Sequence, residues 1–328
     1  MKFEGFAGNE KVKQTLSAFV DGGRLPHVLL IEGPEGSGRR TLARLIAKAG
    51  LCKSKEEKPC GECSSCIKAK GGNHPDILEI KDDFTSQYKI QPMRDLRQSA
   101  YIMPNESERR FIIMPDIQHM SETVQNVLLK ILEEPPGYLL FILTCENRTQ
   151  LLPTILSRTV CVALSSVDIP LATDVIKSAL PDTPHQDACN AAAVFGGIIG
   201  QAIKGISDGS FRQVLELSPE LALAVIAPDE LTLLRLTARM EKDKDLVDGV
   251  LNLLALIFRD ALVRRAGVED DMSPSPETAQ TLARALKPKN LIELISTVDE
   301  LRSLRQQHIN HTLFLTLLCS RFRTAAGR

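Results

Sequence analysis

Hydrophobic and polar positions follow two regimes along this chain. Through the first 165 residues, short aliphatic or β-branched runs recur between amphipathic stretches: His27–Ile31, Ile77–Ile80, Phe111–Met114, Leu139–Thr144 and Val160–Ala163. This alternation predicts a parallel sheet covered by helices. The clearest helix lies between the third and fourth runs, where Val124, Val127, Leu128, Ile131 and Leu132 fall at i, i+3, i+4, i+7 and i+8. It should stop at Pro135-Pro136-Gly137, which can neither donate to a helix nor continue one. After Ser166 the strand-like runs end and an alanine-rich helical period takes over. Pro181 to Pro184 separates two helical pieces that close near Gly205; longer helical periods follow from about Leu215, broken by the polar link Gly267–Glu277. The expected architecture is an α/β domain over 1–165, a small helical domain over 166–210 and an all-α domain over 211–328.

With 43% hydrophobic and 25% charged residues in 328, the chain has enough apolar material for several cores. No run approaches the roughly 20 apolar residues of a membrane helix, and Met-Lys-Phe-Glu-Gly at the start lacks the apolar centre of a signal peptide. A soluble cytoplasmic protein with no membrane partner is expected. The net charge of -1 argues against wrapping nucleic acid by bulk electrostatics, so any DNA contact must be local. Trp is absent and Tyr occurs three times, leaving the eleven Phe as stacking platforms.

The first strand runs into Gly33-Pro34-Glu35-Gly36-Ser37-Gly38-Arg39-Arg40-Thr41 and a helix expected over Leu42 to Leu51. Strand, Gly-rich turn and helix N-terminus is the placement of a phosphate-binding P-loop. The chemistry differs. A working loop needs Lys after the last Gly to reach the β- and γ-phosphates, then Ser or Thr to hold Mg²⁺; Arg39 and Arg40 fill those places. Arg40 can only donate, so it cannot ligate a cation, and Thr41 lies about 100° further round the helix. Productive ATP binding and hydrolysis are not expected, while anion binding by the N–H groups of the loop stays open.

The acidic partner of such a loop sits at the end of the third strand: an Asp supporting Mg²⁺, usually followed by a Glu that orients water. Here the strand ends Met114-Pro115-Asp116, which puts Pro115 at the Asp position and Asp116 at the Glu position. Asp116 is expected to be an ordinary strand-end or turn residue. Two separate lesions therefore fall in one site.

Four of the eight cysteines cluster as Cys52, Cys60, Cys63 and Cys66, the last three in overlapping C-x-x-C steps. Four thiolates from a short loop satisfy tetrahedral zinc, and a site with no open position is structural rather than catalytic. Disulfides are the alternative, disfavoured in a reducing compartment. One structural Zn²⁺ per chain is expected. His74 belongs to the turn His74-Pro75-Asp76, and Cys145, Cys161, Cys189 and Cys319 lie in apolar segments as core cysteines.

The degenerate loop, the four-cysteine insertion after the first helix, Leu128-Leu129-Lys130-Ile131-Leu132-Glu133-Glu134-Pro135-Pro136 and Leu152-Pro153-Thr154-Ile155-Leu156-Ser157-Arg158-Thr159 together resemble the clamp-loader subunits of bacterial DNA polymerase III, an AAA+ family. The likeness runs through the first 210 residues or so. Motor subunits of that family keep an intact phosphate loop and the delta-prime type usually does not, so the resemblance implies the delta-prime type. It further implies that Arg158, in a Ser-Arg-Thr that replaces the family's Ser-Arg-Cys, is an arginine finger reaching into the ATP site of a neighbouring subunit. A guanidinium there stabilises charge on a transferring phosphoryl group.

By the same resemblance, residues 166–210 form a lid domain and 211–328 a ring-forming collar that includes His308-Ile309-Asn310-His311. Phe195-Gly196-Gly197-Ile198-Ile199-Gly200-Gln201 resembles the start of a helix that normally carries a sensor Arg, near whose place Gln201 stands. The implied function is a non-hydrolysing subunit in a hetero-oligomeric ring with motor subunits and a clamp-opening subunit, supporting ATP-dependent loading of a sliding clamp onto primed DNA. The alternatives are an active motor subunit tolerant of Arg39 and a zinc-ribbon DNA-binding protein. Arg94 and Arg97 are candidate local DNA contacts, with pairing to Asp95 or Glu106 as the other reading.

Overall fold

A computed structural model describes residues 1–54, 56–80, 90–268, 270–305 and 310–328. The chain forms two compact units, Met1–Val167 and Asp168–Arg328. The first contains α1 (Glu10–Asp21), β1 (Val28–Glu32), α2 (Arg39–Gly50), α3 (Ser64–Lys70), β2 (Ile77–Glu79), α4 (Ile90–Ala100), β3 (Arg110–Met114), α5 (Glu122–Glu133), β4 (Leu139–Cys145), α6 (Pro153–Leu156) and β5 (Val160–Ala163). All five expected strands form, and they pair in parallel in the order β2-β3-β4-β1-β5.

Side chains alternate between the two faces of this sheet, and each face has its own helices. On one side Leu30, Ile112, Phe141 and Leu143 pack with Leu128 and Ile131 of α5. On the other, Leu29, Ile31, Phe111, Ile113 and Ile142 pack with Leu42, Ala43 and Ile46 of α2 and Leu16 of α1. Burial on both faces explains why the strands read as unbroken apolar runs. All seven residues of β4 are buried, whereas β5, at the sheet edge, exposes Val160 and Ala163. Residues 33–38, 115–116 and 146 follow the C-terminal ends of β1, β3 and β4, where a parallel sheet gathers its loops.

Helix α2 begins at Arg39, three residues before the expected Leu42, with Gly38 as N-cap at φ 90°. That left-handed conformation suits glycine; a Cβ there would also stand 3.0 Å from the ring of Phe6. The early start brings Arg39 and Arg40 into the first turn of the helix.

The second unit is helical throughout its described residues: α7 (Ile169–Ala179), α8 (His185–Val194), α9 (Ile199–Asp208), α10 (Ser210–Ile226), α11 (Glu230–Ala238), α12 (Lys244–Arg265), α13 (Pro276–Ala285), α14 (Pro288–Arg305) and α15 (His311–Ala325). Its axis is α12, which buries Val247, Val250, Leu251, Leu254, Ile257 and Phe258 against α10, α13 and α14. Phe258 meets Phe322 of α15 edge-on, 5.9 Å between centroids. The polar link after α12 is tied down from within: the buried Asp260 carboxylate accepts the N–H groups of Met272 at 3.0 Å and Ser273 at 2.7 Å. The boundary expected at 210 falls inside this unit, between α9 and α10, which pack on each other.

Gly50, the last residue of α2, lies against the sheet, where an added Cβ would come within 2.4 Å of Cζ of the fully buried Phe111. The ring is fully buried among the sheet and helix side chains. Gly50→Ala is expected to lower stability by about 1–3 kcal/mol, read as a lower urea midpoint at unchanged slope; an unchanged midpoint contradicts this packing.

Candidate functional site

Cβ bonds in a helix tilt toward its N-terminus, so Arg39 on the first turn of α2 points back over its own loop. Its guanidinium is 6% exposed. Nη1 donates to Gly33 O at 2.7 Å, and Nη2 lies 3.0 Å from Asp116 Oδ1 and 3.6 Å from Glu146 Oε1. Arg40 Nη2 reaches the other carboxylate oxygen, Asp116 Oδ2, at 2.5 Å. One acidic residue thus bridges the two arginines that replace the lysine and hydroxyl of a working loop.

Asp116 is not the ordinary strand-end residue expected from the sequence. It is 4% exposed and holds the left-handed conformation at φ 50°. Its N–H donates to Thr144 Oγ1 at 2.9 Å, and that hydroxyl lies 3.4 Å from Asp116 Oδ1. Thr144 and Glu146 were missed as members of this site. The signal for Thr144 was a lone hydroxyl ending an otherwise apolar strand; Glu146 carries no comparable signal, because an acidic residue after a strand is commonplace.

Chemically, the loop has its own cation and that cation has its own anion. An entering phosphate would have to displace the Asp116 carboxylate from Arg39, and Asp116, occupied by two guanidinium groups, is poorly placed to support Mg²⁺. The ion pair is buried on both sides at Arg39, so it is screened little by solvent.

Arg158 lies between α6 and the edge strand β5. Its Nη1 donates to Thr154 O at 2.9 Å and to Ser157 Oγ at 3.3 Å, and its Nη2 to Glu133 Oε1 at 3.0 Å. The side chain is 36% exposed.

Cys52, Cys60, Cys63 and Cys66 converge, their four sulfurs all within 4.8 Å of one another, and none is in a disulfide. Tetrahedral thiolate coordination at about 2.3 Å requires S···S near 3.8 Å; Cys60 and Cys66 stand at 4.0 Å. The N–H groups of Cys60 and Cys63 point at sulfurs, Cys52 Sγ at 3.3 Å and Cys60 Sγ at 3.4 Å. Burial would raise the Cys63 thiol, but the backbone N–H groups of Lys53 and Cys66, with the neighbouring thiols, bring it down to about 6. The donor set fits a metal ion.

Helix α3, which carries Cys66, continues into the turn at His74, where Asp76 N–H donates to His74 Nδ1 at 3.1 Å. Asp76 is buried and accepts the N–H groups of Asn105 and Glu106 at 2.5 and 2.9 Å. Burial opposes its ionisation, and those N–H groups nevertheless hold its carboxyl below the usual range. Glu106 pairs with Lys68 of α3 at 2.5 Å, rather than with an arginine. Arg94 and Arg97 are exposed on α4. Cys145 and Cys319 are buried, as expected of core cysteines, while Cys161 and Cys189 are half-buried. Gln201 lies in the first turn of α9. His308 and Ile309, expected in the collar segment, lie outside the described residues.

The family described as DNA polymerase III, delta subunit, matches residues 8–168, and the family described as DNA polymerase III, delta subunit, C terminal, matches residues 218–324. The chain belongs to the DNA polymerase III clamp-loader subunits of the AAA+ family. DNA polymerase III subunit gamma/tau of Mycobacterium tuberculosis is 35% identical over 159 residues, 48% of this chain and 27% of that protein. Subunit gamma of Buchnera aphidicola is 28% identical over 220 residues, 67% of this chain and 57% of that protein. Subunit tau of Salmonella typhimurium is 26% identical over 321 residues, 88% of this chain and 48% of that protein. This clamp-loader subunit therefore spans from about a quarter to just over half the length of these relatives. No helix among its described residues is long and apolar enough to cross a membrane.

Removing Asp116 takes from the buried Arg39 its closest counter-ion and leaves only the half-exposed Glu146 at 3.6 Å. Asp116→Ala should therefore lower stability by about 3–5 kcal/mol, more than an exposed acidic residue would, with loss measured by chemical denaturation. A change within about 0.5 kcal/mol would mean that Asp116 does not neutralise the buried guanidinium.

Proposed function

We propose that this chain is a non-hydrolysing clamp-loader subunit of the delta-prime type, acting in a ring whose other members bind and hydrolyse ATP. The observation that carries this reading is the Arg39–Asp116 pair at 3.0 Å, which fills the phosphate loop with the protein's own charges. Arg40 and Pro115 remove the usual Mg²⁺ ligands, and Gln201 in place of a sensor arginine is consistent with the same loss. The relatives bear gamma and tau names, so an active motor subunit is the nearest rival; the buried ion pair speaks against it.

In this proposal the chain works in the cytoplasm as a component of a DNA polymerase III holoenzyme. Residues 166–210 serve as the lid and 211–328 as the collar that joins motor subunits and a clamp-opening subunit into a ring. The ring places a sliding clamp on primed DNA. Arg158 is the residue through which this subunit takes part in catalysis: it projects at the edge-strand side of the sheet, away from its own filled loop, and donates to phosphoryl oxygens in the neighbour's site. The metal at Cys52, Cys60, Cys63 and Cys66 is zinc, which supplies a structural cross-link and no catalysis.

Protein isolated without added metal should contain about one equivalent of zinc, and its removal by a chelator should lower the thermal midpoint. Zinc-free protein, or disulfides among these four cysteines in fresh preparations, would contradict the assignment. For the finger, Arg158→Ala in a loader reconstituted with motor subunits should leave assembly and zinc content unchanged and slow hydrolysis at the adjoining site by about 10³-fold or more. Lysine should restore little, since a point charge lacks the planar fork. Unaltered clamp- and DNA-stimulated hydrolysis in the Ala variant would make Arg158 a structural residue.

A further inference from the structure

Two stretches conspicuous in the sequence, the end of α5 with its Glu-Glu-Pro-Pro and the Ser157-Arg158-Thr159 segment, meet at a single contact, Glu133 Oε1 to Arg158 Nη2 at 3.0 Å. We propose that Glu133 is the positioning residue for Arg158: it holds the guanidinium at the rim of the subunit with one edge turned free for a neighbour's phosphoryl oxygens. This rests on the reading of Arg158 as a finger acting in trans.

A guanidinium has five N–H donors in a planar fork. Thr154 O and Ser157 Oγ take Nη1, and Glu133 takes one donor of Nη2. The Nε–H and the second Nη2 N–H lie on one edge, the pair that can grip two oxygens of an anion at once. Glu133 approaches Nη2 without engaging Nε. By contrast, Glu79 grips Arg44 through both Nε and Nη2, at 2.8 and 2.6 Å, and so consumes the edge that Arg158 keeps.

Position follows from the backbone as well. Glu133 is the last residue of α5, directly before Glu134-Pro135-Pro136, where the helix must end. The helix end therefore fixes the backbone that carries the carboxylate, and the carboxylate restricts a long side chain that would otherwise sample many rotamers at the surface. Both partners are partly exposed, 36% for Arg158 and 50% for Glu133. Their pairing is accordingly weak enough to adjust when a phosphate arrives. A positioning role of this strength should show in turnover rather than in folding.

The test uses the full chain in a loader reconstituted with its motor subunits, measuring steady-state ATP hydrolysis with clamp and primed DNA. Glu133→Ala should lower kcat at the adjoining site by about 2- to 5-fold, the rate equivalent of an exposed ion pair, with KM for ATP and ring assembly unchanged. Glu133→Gln, which keeps the volume and one acceptor oxygen, should recover part of that loss and also serves should the Ala variant fold poorly. In an Arg158→Ala background, Glu133→Ala should have no further effect. A wild-type rate in Glu133→Ala, in a loader that Arg158→Ala does cripple, overturns the positioning role alone. An equal loss in the Arg158→Ala background makes Glu133 merely structural, and an increased rate makes it a restraint on the finger, either of which also overturns it. No effect of Arg158→Ala removes the finger itself, and the positioning role with it.

Discussion

The nucleotide end of the sheet is organised by one buried carboxylate. Asp116 stands at the end of β3 between two guanidinium groups, and the left-handed backbone there turns its carboxylate toward α2 while Thr144 fixes its amide. A guanidinium as buried as Arg39 is costly to keep without such a partner. This pair ties the first turn of α2 and, through Arg39, the loop at Gly33 to the end of β3. A working phosphate loop leaves its cation for a ligand; here the protein supplies both signs.

That arrangement also separates the roles of the first unit. At the C-terminal ends of β1, β3 and β4 the charges of Arg39, Arg40 and Asp116 are paired within the chain. At the sheet edge, Arg158 stands between the short helix α6 and β5, which is where the proposed finger would act. On another side, α3 and the turn at Asp76 tie the cysteine cluster to residues 105 and 106, giving a bound metal a mechanical link to the start of β3.

The sequence disclosed the five strands because burial on both faces leaves apolar runs that few other structures require, and the four cysteines because their spacing has little use besides a metal. It disclosed by position alone that arginines stand where a working loop has Lys and then Ser or Thr. It did not disclose what those arginines do instead. Asp116 is 76 residues from Arg40 along the chain, and only the parallel order of β1, β4 and β3 brings them together; a single acidic residue after a strand carries no trace of a distant partner. The pairing of Glu133 with Arg158 was hidden for the same reason, although both lie in stretches that stood out. Helical periodicity marked the second unit as helical; within it α10 continues through Pro219 and packs on both α9 and α12.

If the loop is filled by its own ion pair, ATP can bind only to the fraction of molecules in which Arg39 has left Asp116. Opening a buried pair at about 3–5 kcal/mol would weaken apparent affinity by roughly two to four decades. The most direct measurement is calorimetric titration of the purified full-length chain with Mg-ATP. No saturable heat is expected up to about 1 mM nucleotide, with or without Mg²⁺. Saturable, Mg²⁺-dependent binding with a Kd in the micromolar range would contradict it, and would mean that Arg39 serves a nucleotide instead of excluding one.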